Sequence, residues 1–170
     1  MKKQTQAIRI QAKRSHNREH SVPLYLTSSF TFEDSEQGRA IFAEEIPGNI
    51  YSRYQNPNVD EFVEKMCMLE NAEAGLAFST GMAAIFSSIA GILKQGDHVV
   101  ASNALFGSAI QILTKITAKW GIECTFVDGH DIKAWEAAIK DNTKFFFCES
   151  PSNPGLDLID IAELAALKQG

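Results

Sequence analysis

Four short stretches combine residue types that bind or move charge. Ser79, Thr80 and Gly81 stand between an apolar run and the apolar-striped segment Met82 to Leu93. If a helix starts there, its unpaired N–H groups and about half a positive charge favour an anion. Gly81 lets the backbone approach a ligand closely, and the hydroxyls of Ser79 and Thr80 add donors. A plain Ser/Thr-capped helix has the same local pattern. In "YSRYQNPN", Tyr51 to Asn58, Arg53 could clamp a phosphate or carboxylate with two parallel hydrogen bonds, and Tyr51 could donate its hydroxyl. Taken alone, that stretch favours an exposed loop with a surface ion pair. In "CESPSNPG", Cys148 to Gly155, two prolines stiffen a loop that presents Asn153, with Glu149 beside it. A turn without a ligand fits equally. In "SNALFGS", Phe106 could stack on a planar ring, although its spacing alone favours a place in the core.

These stretches recur at one kind of place, the end of a strand-like run. "HVVAS", "IECTFV" and "KFFFCES" read as strands, and "GLAFS" as a short one. Helices alternate with them. Asn58 followed by Glu61 reads as a helix start, with Phe62, Met66 and Leu69 at helical spacing. Met82, Ile85, Phe86, Ile89 and Leu93 form one helix face, and Gly96 fits its C-cap. Ser108 to Trp120 reads as a helix with Ile112, Leu113 and Ile116 inward and Gly121 ending it. Asp131 caps a helix carrying Ile132, Trp135 and Ile139. Asp160 caps a last one with Ile161, Leu164, Ala165 and Leu167 as its apolar positions. The alternation predicts an α/β fold with a mostly parallel sheet and helices on both faces. Such sheets bind ligands beyond the carboxyl ends of their strands. Up to about Asn58 the chain reads as an irregular arm, with turn residues at Pro23, Pro47, Gly48 and Pro57.

Composition narrows the function classes. The chain has 170 residues, 45% hydrophobic and 22% charged, an ordinary globular balance. Its net charge of −5 offers no sequence-wide basic field for nucleic acid. Cys67, Cys124 and Cys148 form no CxxC pair, which suits small buried thiols in a reducing compartment. His16, His20, His98 and His130 are scattered without metal-ligand spacing. Met82 to Leu93 is too short to span a bilayer, and no signal-peptide h-region is present, so no membrane partner is expected. A cytoplasmic location is expected. The first 18 residues hold six of the 16 Lys and Arg. Their apolar stripe of Ala7, Ile8 and Ile10 is thin, which suits a solvated arm better than a transit peptide.

Together, a phosphate cradle, an Arg/Tyr loop, a stacking aromatic and a strand-end Asn suit a flat, phosphorylated heteroaromatic cofactor. The sequence resembles the Cys/Met-metabolism enzymes that use pyridoxal phosphate, the cystathionine γ-synthase and homoserine sulfhydrylase group. "SVPLYLTSSFTF", "YSRYQNPNVDEFVEKMCMLE", "FSTGMAA" and "ESPSNP" occur in that family's order, and the likeness runs from about Thr5 to Gly170. The resemblance implies pyridoxal 5'-phosphate as cofactor and the aminotransferase-like fold type I large domain. Residues 1–58 would be the N-terminal arm and cofactor-contact loop, and residues 59–170 the front part of the cofactor-binding α/β domain. Ser79 and the N–H groups of Gly81 and Met82 would bind the cofactor's phosphate. Tyr51 and Arg53 would reach that phosphate from a neighbouring subunit in a dimer of dimers. Phe106 would stack on the ring, and Asn153 would approach its phenolic oxygen.

Two departures accompany the resemblance. The family commonly has Tyr at the stacking position and gives that phenol a proton to handle; Phe106 has no hydroxyl, so another group must move that proton. The Schiff-base lysine and the aspartate facing the pyridine nitrogen are expected beyond Gly170. "LAALKQG" stops where a parallel sheet would receive another strand, so the chain is expected to be the front part of a longer protein. Lys94, Lys115, Lys119, Lys140, Lys144 and Lys168 all read as solvated, and no catalytic residue is assigned within the chain. The implied activity is γ-replacement on an O-acylated homoserine, succinyl or acetyl, with sulfide or cysteine as the sulfur partner. Sulfhydrylase chemistry is expected over a cystathionine γ-synthase or a γ-lyase. Two alternatives lie outside the family's chemistry. One is an inactive piece that only dimerises or acts as a scaffold. The other is a nucleotide-binding module, which lacks a glycine fingerprint.

Overall fold

The computed structural model describes residues 2–9 and 14–167; Ile10 and Lys168 lie outside them. The chain divides into two compact units, Met1–Ala77 and Phe78–Gly170.

The first unit is more helical than its turn residues suggest. Helix α1 spans Lys3–Arg9 and buries none of its residues. Helix α2 spans Ser35–Phe42, where the Asp34 carboxylate accepts from the Gln37 N–H at 2.8 Å. Helix α3 spans Pro57–Glu70. Its N-cap is Asn56, with Pro57 in the first turn, where its missing N–H costs nothing. Asn58, read from sequence as the start, does a different job. Its side-chain oxygen accepts from the Tyr25 N–H at 2.8 Å, and its amide donates to the Pro23 carbonyl at 2.8 Å. Glu61 closes no capping box; it is buried and pairs with Lys65 one turn on. Phe62 and Met66 are exposed within this unit.

The second unit is a three-stranded parallel sheet in the order β2-β1-β3, formed by β1 (His98–Ser102), β2 (Glu123–Val127) and β3 (Thr143–Phe147). All five residues of β1 are buried, as the apolar run Val99 to Ala101 suits a central strand. Alternate residues divide the core. Val99 and Ala101 join Ile89, Leu93, Leu105, Ala109, Ile112, Leu113 and Ile122 on one face. Val100 joins Val127, Trp135, Ile159 and Leu164 on the other. Crossovers from β1 to β2 and from β2 back to β3 run in opposite directions. Two right-handed crossovers of that kind place their helices on opposite faces. Helices α4 (Gly81–Ile92) and α5 (Gly107–Gln111) accordingly line the first face, and α6 (Ile132–Ala138) and α7 (Ile161–Ala165) the second.

Four local expectations need correction. "GLAFS" is not a strand: Gly75 to Ser79 is exposed and pairs with no other segment among the described residues. Extended backbone becomes a strand only when a neighbour takes its hydrogen bonds. Gly96 is not the C-cap of α4; the helix ends at Ile92, and Gly96 takes a left-handed φ of 88° in the turn that follows. After Gln111 the helical run widens into a π segment, Ile112–Ile116, then tightens over Thr117–Trp120. The wider turn shifts the facing, so Thr117 is fully buried and Ile116 is exposed. Gly121 does end this run, with φ at 72°. In α7, Leu164 is buried, whereas Ile161 and Ala165 are exposed.

Candidate functional site

Three of the predicted stretches lie beyond the carboxyl ends of strands in the second unit's sheet or at the start of its first helix. At the α4 start, Thr80 is extended, with φ −148°, and its hydroxyl accepts from the Ala83 N–H at 3.1 Å. Its carbonyl takes the Ala84 N–H at 3.1 Å. The N–H groups of Gly81 and Met82 have no acceptor among the described residues. The capped helix and the anion cradle are therefore compatible: Thr80 uses one donor and leaves two. A Cβ at Gly81 would meet nothing within 4 Å. The chain's own packing does not demand glycine there, and the space that a Cβ would occupy is open. Ser79 is exposed beside them, while the Met82 side chain packs into the core face that holds Leu105.

At the end of β1, the buried Ser102 hydroxyl accepts from the Ala104 N–H at 3.1 Å and shapes the descent to Phe106. Phe106 is 42% exposed, so it is not the core residue its spacing favours. Its N–H is held from the end of β3 by both carboxylate oxygens of Glu149, at 3.0 and 3.1 Å. This link spans 43 residues of sequence.

Beyond Glu149, the Ser150–Pro151 and Asn153–Pro154 peptide bonds are cis. Two serines pin this loop. Ser150 Oγ accepts from the Ile159 N–H at 3.0 Å and donates to the Ile159 carbonyl at 3.2 Å. Ser152 is buried; its N–H donates to the Asp157 carbonyl at 2.9 Å, and its Oγ donates to Asp157 Oδ2 at 3.0 Å. The Asp157 N–H returns to Ser152 Oγ at 3.0 Å. Asn153 projects from this frame, exposed and without a protein partner for its side chain among the described residues. Asp157 also faces His130, with Nε2 3.6 Å from Oδ1. A cavity of about 210 Å³ opens among Ser102, Asn103, Asp128, His130 and Asp157. Neither Ser152 nor this cavity stood out in the sequence; a small polar residue between two prolines is the only signal.

Tyr51 and Arg53 belong to the first unit. The Arg53 guanidinium carbon lies 5.1 Å from the Tyr51 ring centre and 5.3 Å from that of Tyr54. No carboxylate pairs with Arg53 among the described residues, so the surface ion pair expected of this loop is not formed. Tyr51 is bridged antiparallel to Ser29 and is 39% exposed.

The remaining candidates are quiet. Burial raises the Cys124 thiol to about 11 and pushes Cys148 up as well, which keeps both protonated. Lys94, Lys115, Lys119, Lys140 and Lys144 are exposed. Among the described residues no helix is long and apolar enough to cross a membrane.

The pattern that defines the Cys/Met metabolism PLP-dependent enzymes matches residues 4–169. The chain belongs to that family. It is 44% identical over 163 residues to an O-succinylhomoserine sulfhydrylase of Pseudomonas aeruginosa, covering 96% of this chain and 40% of that protein. It is 43% identical over 141 residues to an L-methionine gamma-lyase of Porphyromonas gingivalis, covering 83% of this chain and 35% of that protein. A solved O-acetylhomoserine (thiol)-lyase from Campylobacter jejuni, described as putative in its own name, superposes with a TM-score of 0.89 at 32% identity. That superposition covers 96% of this chain and 40% of the other. Its structure carries a pyridoxyl-lysine phosphate. The fold is thus the fold type I architecture of PLP enzymes, and the chain spans about 40% of the length of the relatives it matches. The two open amides at the α4 start, with room above Gly81, fit the phosphate of that cofactor.

Proposed function

We propose that this chain supplies the phosphate- and ring-binding part of a PLP-dependent γ-replacement enzyme acting on O-succinylhomoserine or O-acetylhomoserine. The observation that carries the reading is the pair of N–H groups at Gly81 and Met82, without an acceptor among the described residues, at the start of a 12-residue helix. Ser79 adds a hydroxyl to the same anion. Phe106, exposed and held from behind by Glu149, offers its ring face as a stacking surface. Asn153 offers a free amide to the cofactor's phenolic oxygen. Tyr51 and Arg53 complete the phosphate's surroundings from a neighbouring subunit of a homo-oligomer, so the site needs two chains.

When bound, the cofactor's protonated ring supplies an electron sink that makes the substrate's Cα proton and then a Cβ proton removable. The residues of this chain bind and orient it. The 44% identity to an O-succinylhomoserine sulfhydrylase favours sulfide as the nucleophile and homocysteine as the product. A γ-lyase is the second reading, favoured by the 43% identity to an L-methionine gamma-lyase.

Product analysis tests the choice in an enzyme of the relatives' length that contains this chain. O-succinylhomoserine and sulfide are expected to give homocysteine faster than O-succinylhomoserine and cysteine give cystathionine. Equally fast cystathionine formation moves the reading to a cystathionine γ-synthase. Breakdown of methionine without added nucleophile moves it to a lyase. No absorbance change on adding pyridoxal phosphate removes both and leaves a scaffold.

A further inference from the structure

The Arg53 guanidinium lies against two aromatic rings, and Tyr54 supplies one of them. The stretch Tyr51 to Tyr54 is a tight turn: the Tyr54 N–H donates to the Tyr51 carbonyl at 2.8 Å, and the Gln55 N–H to the same oxygen at 3.1 Å. A turn of this kind brings the first and fourth residues together. Here both are aromatic, and Arg53, one of the two residues between them, carries the cation. The guanidinium carbon lies near both ring centres, at 5.1 and 5.3 Å, within cation–π range of each. The turn is itself anchored. The Ser52 N–H donates to the Ser28 carbonyl at 2.9 Å, Ser52 Oγ donates to the Thr27 carbonyl, and Asn56 Nδ2 donates to Ser52 Oγ at 3.0 Å. Packing within the first unit does not explain Tyr54, which is 71% exposed.

A long cation free in solvent loses rotamer freedom when it grips an anion. One already held by two rings loses less, and its N–H edge keeps all of its donors because rings accept through their faces. We propose that Tyr54 is a positioning residue for anion capture: with Tyr51 it holds the Arg53 guanidinium ready for a phosphate monoester. The proposal rests on the reading of Arg53 as a phosphate ligand given above.

The test uses an enzyme of the relatives' length that contains this chain, labelled with nitrogen-15, as wild type, Tyr54→Ala, Tyr54→Phe and Arg53→Ala, together with the Arg53→Ala/Tyr54→Ala double variant. Without ligand, the heteronuclear NOE of the Arg53 Nε–Hε pair should be close to backbone values in wild type and Tyr54→Phe, and should fall in Tyr54→Ala. Pyridoxal phosphate should bind Tyr54→Ala about 2- to 6-fold more weakly than wild type, and Tyr54→Phe like wild type. Pyridoxal, which lacks the phosphate, should bind all variants alike. Tyr54→Ala should add nothing in the Arg53→Ala background. An Arg53 signal equally ordered in Tyr54→Ala overturns the proposal, as does equal weakening for pyridoxal and its phosphate. If wild type does not distinguish the two ligands, the phosphate reading of Arg53 fails, and the NOE comparison still decides what Tyr54 does.

Discussion

Both carboxylate oxygens of Glu149 hold the backbone N–H of Phe106, at 3.0 and 3.1 Å. The bond joins the loop after β1 to the loop after β3, two strands that lie side by side. It fixes the main chain that carries an exposed aromatic ring without touching the ring itself. Replacing Glu149 by Ala releases that N–H into a partly exposed position. A hydrogen bond to a charged acceptor is worth about 1.5–3 kcal/mol when well protected, and exposure brings the expected loss to about 1 kcal/mol. Urea denaturation measures it. Glu149→Gln keeps one acceptor oxygen and should lose about half as much; a Gln variant as damaged as the Ala variant would show that the charge matters more than the bond.

Gly81 separates stability from binding. A Cβ there meets no atom within 4 Å, and its φ is not in the left-handed region. Gly81→Ala should therefore leave the fold intact and raise stability by about 0.4–1 kcal/mol through a stiffer unfolded chain. Cα–Cβ bonds in a helix tilt toward its N-terminus, so the same methyl group would crowd an anion held there. Binding of pyridoxal phosphate should weaken while the urea midpoint holds or rises. A variant that loses stability instead would mean the site is packed against something the described residues do not include.

What was legible in the sequence follows from how local each signal is. Asp131 and Asp160 cap the helices they precede, because a cap is decided within three residues; their side chains accept from the N–H groups of Lys133, Ala134 and Glu163. The buried strand His98–Ser102 was readable because five consecutive positions have no exposed face. The π segment was not readable. Nothing in "ILTKI" signals a wider turn, and that turn exchanges Ile116 for Thr117 at the core. Asn56 and Asn58 were confused because both can cap; only the chain at Pro23 and Tyr25, more than 30 residues away, decides between them. Of the candidate site, the positions of Gly81, Phe106 and Asn153 at element ends were visible. The contacts that hold them, Glu149 to Phe106 and Ser152 to Asp157, form between loops and leave no periodic trace.

His98 gives the fold a dependence on pH. Its ring lies fully buried across all three strands, with Nδ1 2.8 Å from Thr143 Oγ1 and Nε2 2.8 Å from Thr125 Oγ1. The Thr143 hydroxyl also accepts from the Lys140 N–H at 2.8 Å, and each threonine hydroxyl can either donate to the ring or accept from it. Burial favours the neutral imidazole over the charged one. Burial lowers its pKa, Lys140 lowers it further, and Glu123 opposes them. Because the folded value lies below the unfolded one, about 6.5, the unfolded state takes up the proton first as pH falls. The stabilisation is complete above the unfolded pKa and is lost as pH drops through the folded one. Urea midpoints should fall between pH 7.5 and pH 5, and His98→Gln, which cannot titrate, should flatten that part of the curve. An equally steep fall in the variant would assign the dependence to other groups.

Ser152 should hold the Asn153 loop in place. It is buried and joins Asp157 through three hydrogen bonds, two of them at its hydroxyl. Ser152→Ala removes the hydroxyl and leaves the Asp157 N–H and one carboxylate oxygen without their partner. An unsatisfied polar group costs about 1–3 kcal/mol where water cannot reach it. Asp157 is half-buried, so the expected loss is at the lower end of that range. The loss should be local. Leu156, held at a left-handed φ of 59° by its N–H bond to the Ser152 carbonyl, sits in the same turn. Amide exchange of Leu156 and Asp157 should therefore speed up in Ser152→Ala, while that of Val99 and Val100 in the central strand stays slow. Uniform acceleration across both segments would mean that Ser152 supports the whole sheet rather than the loop that presents Asn153.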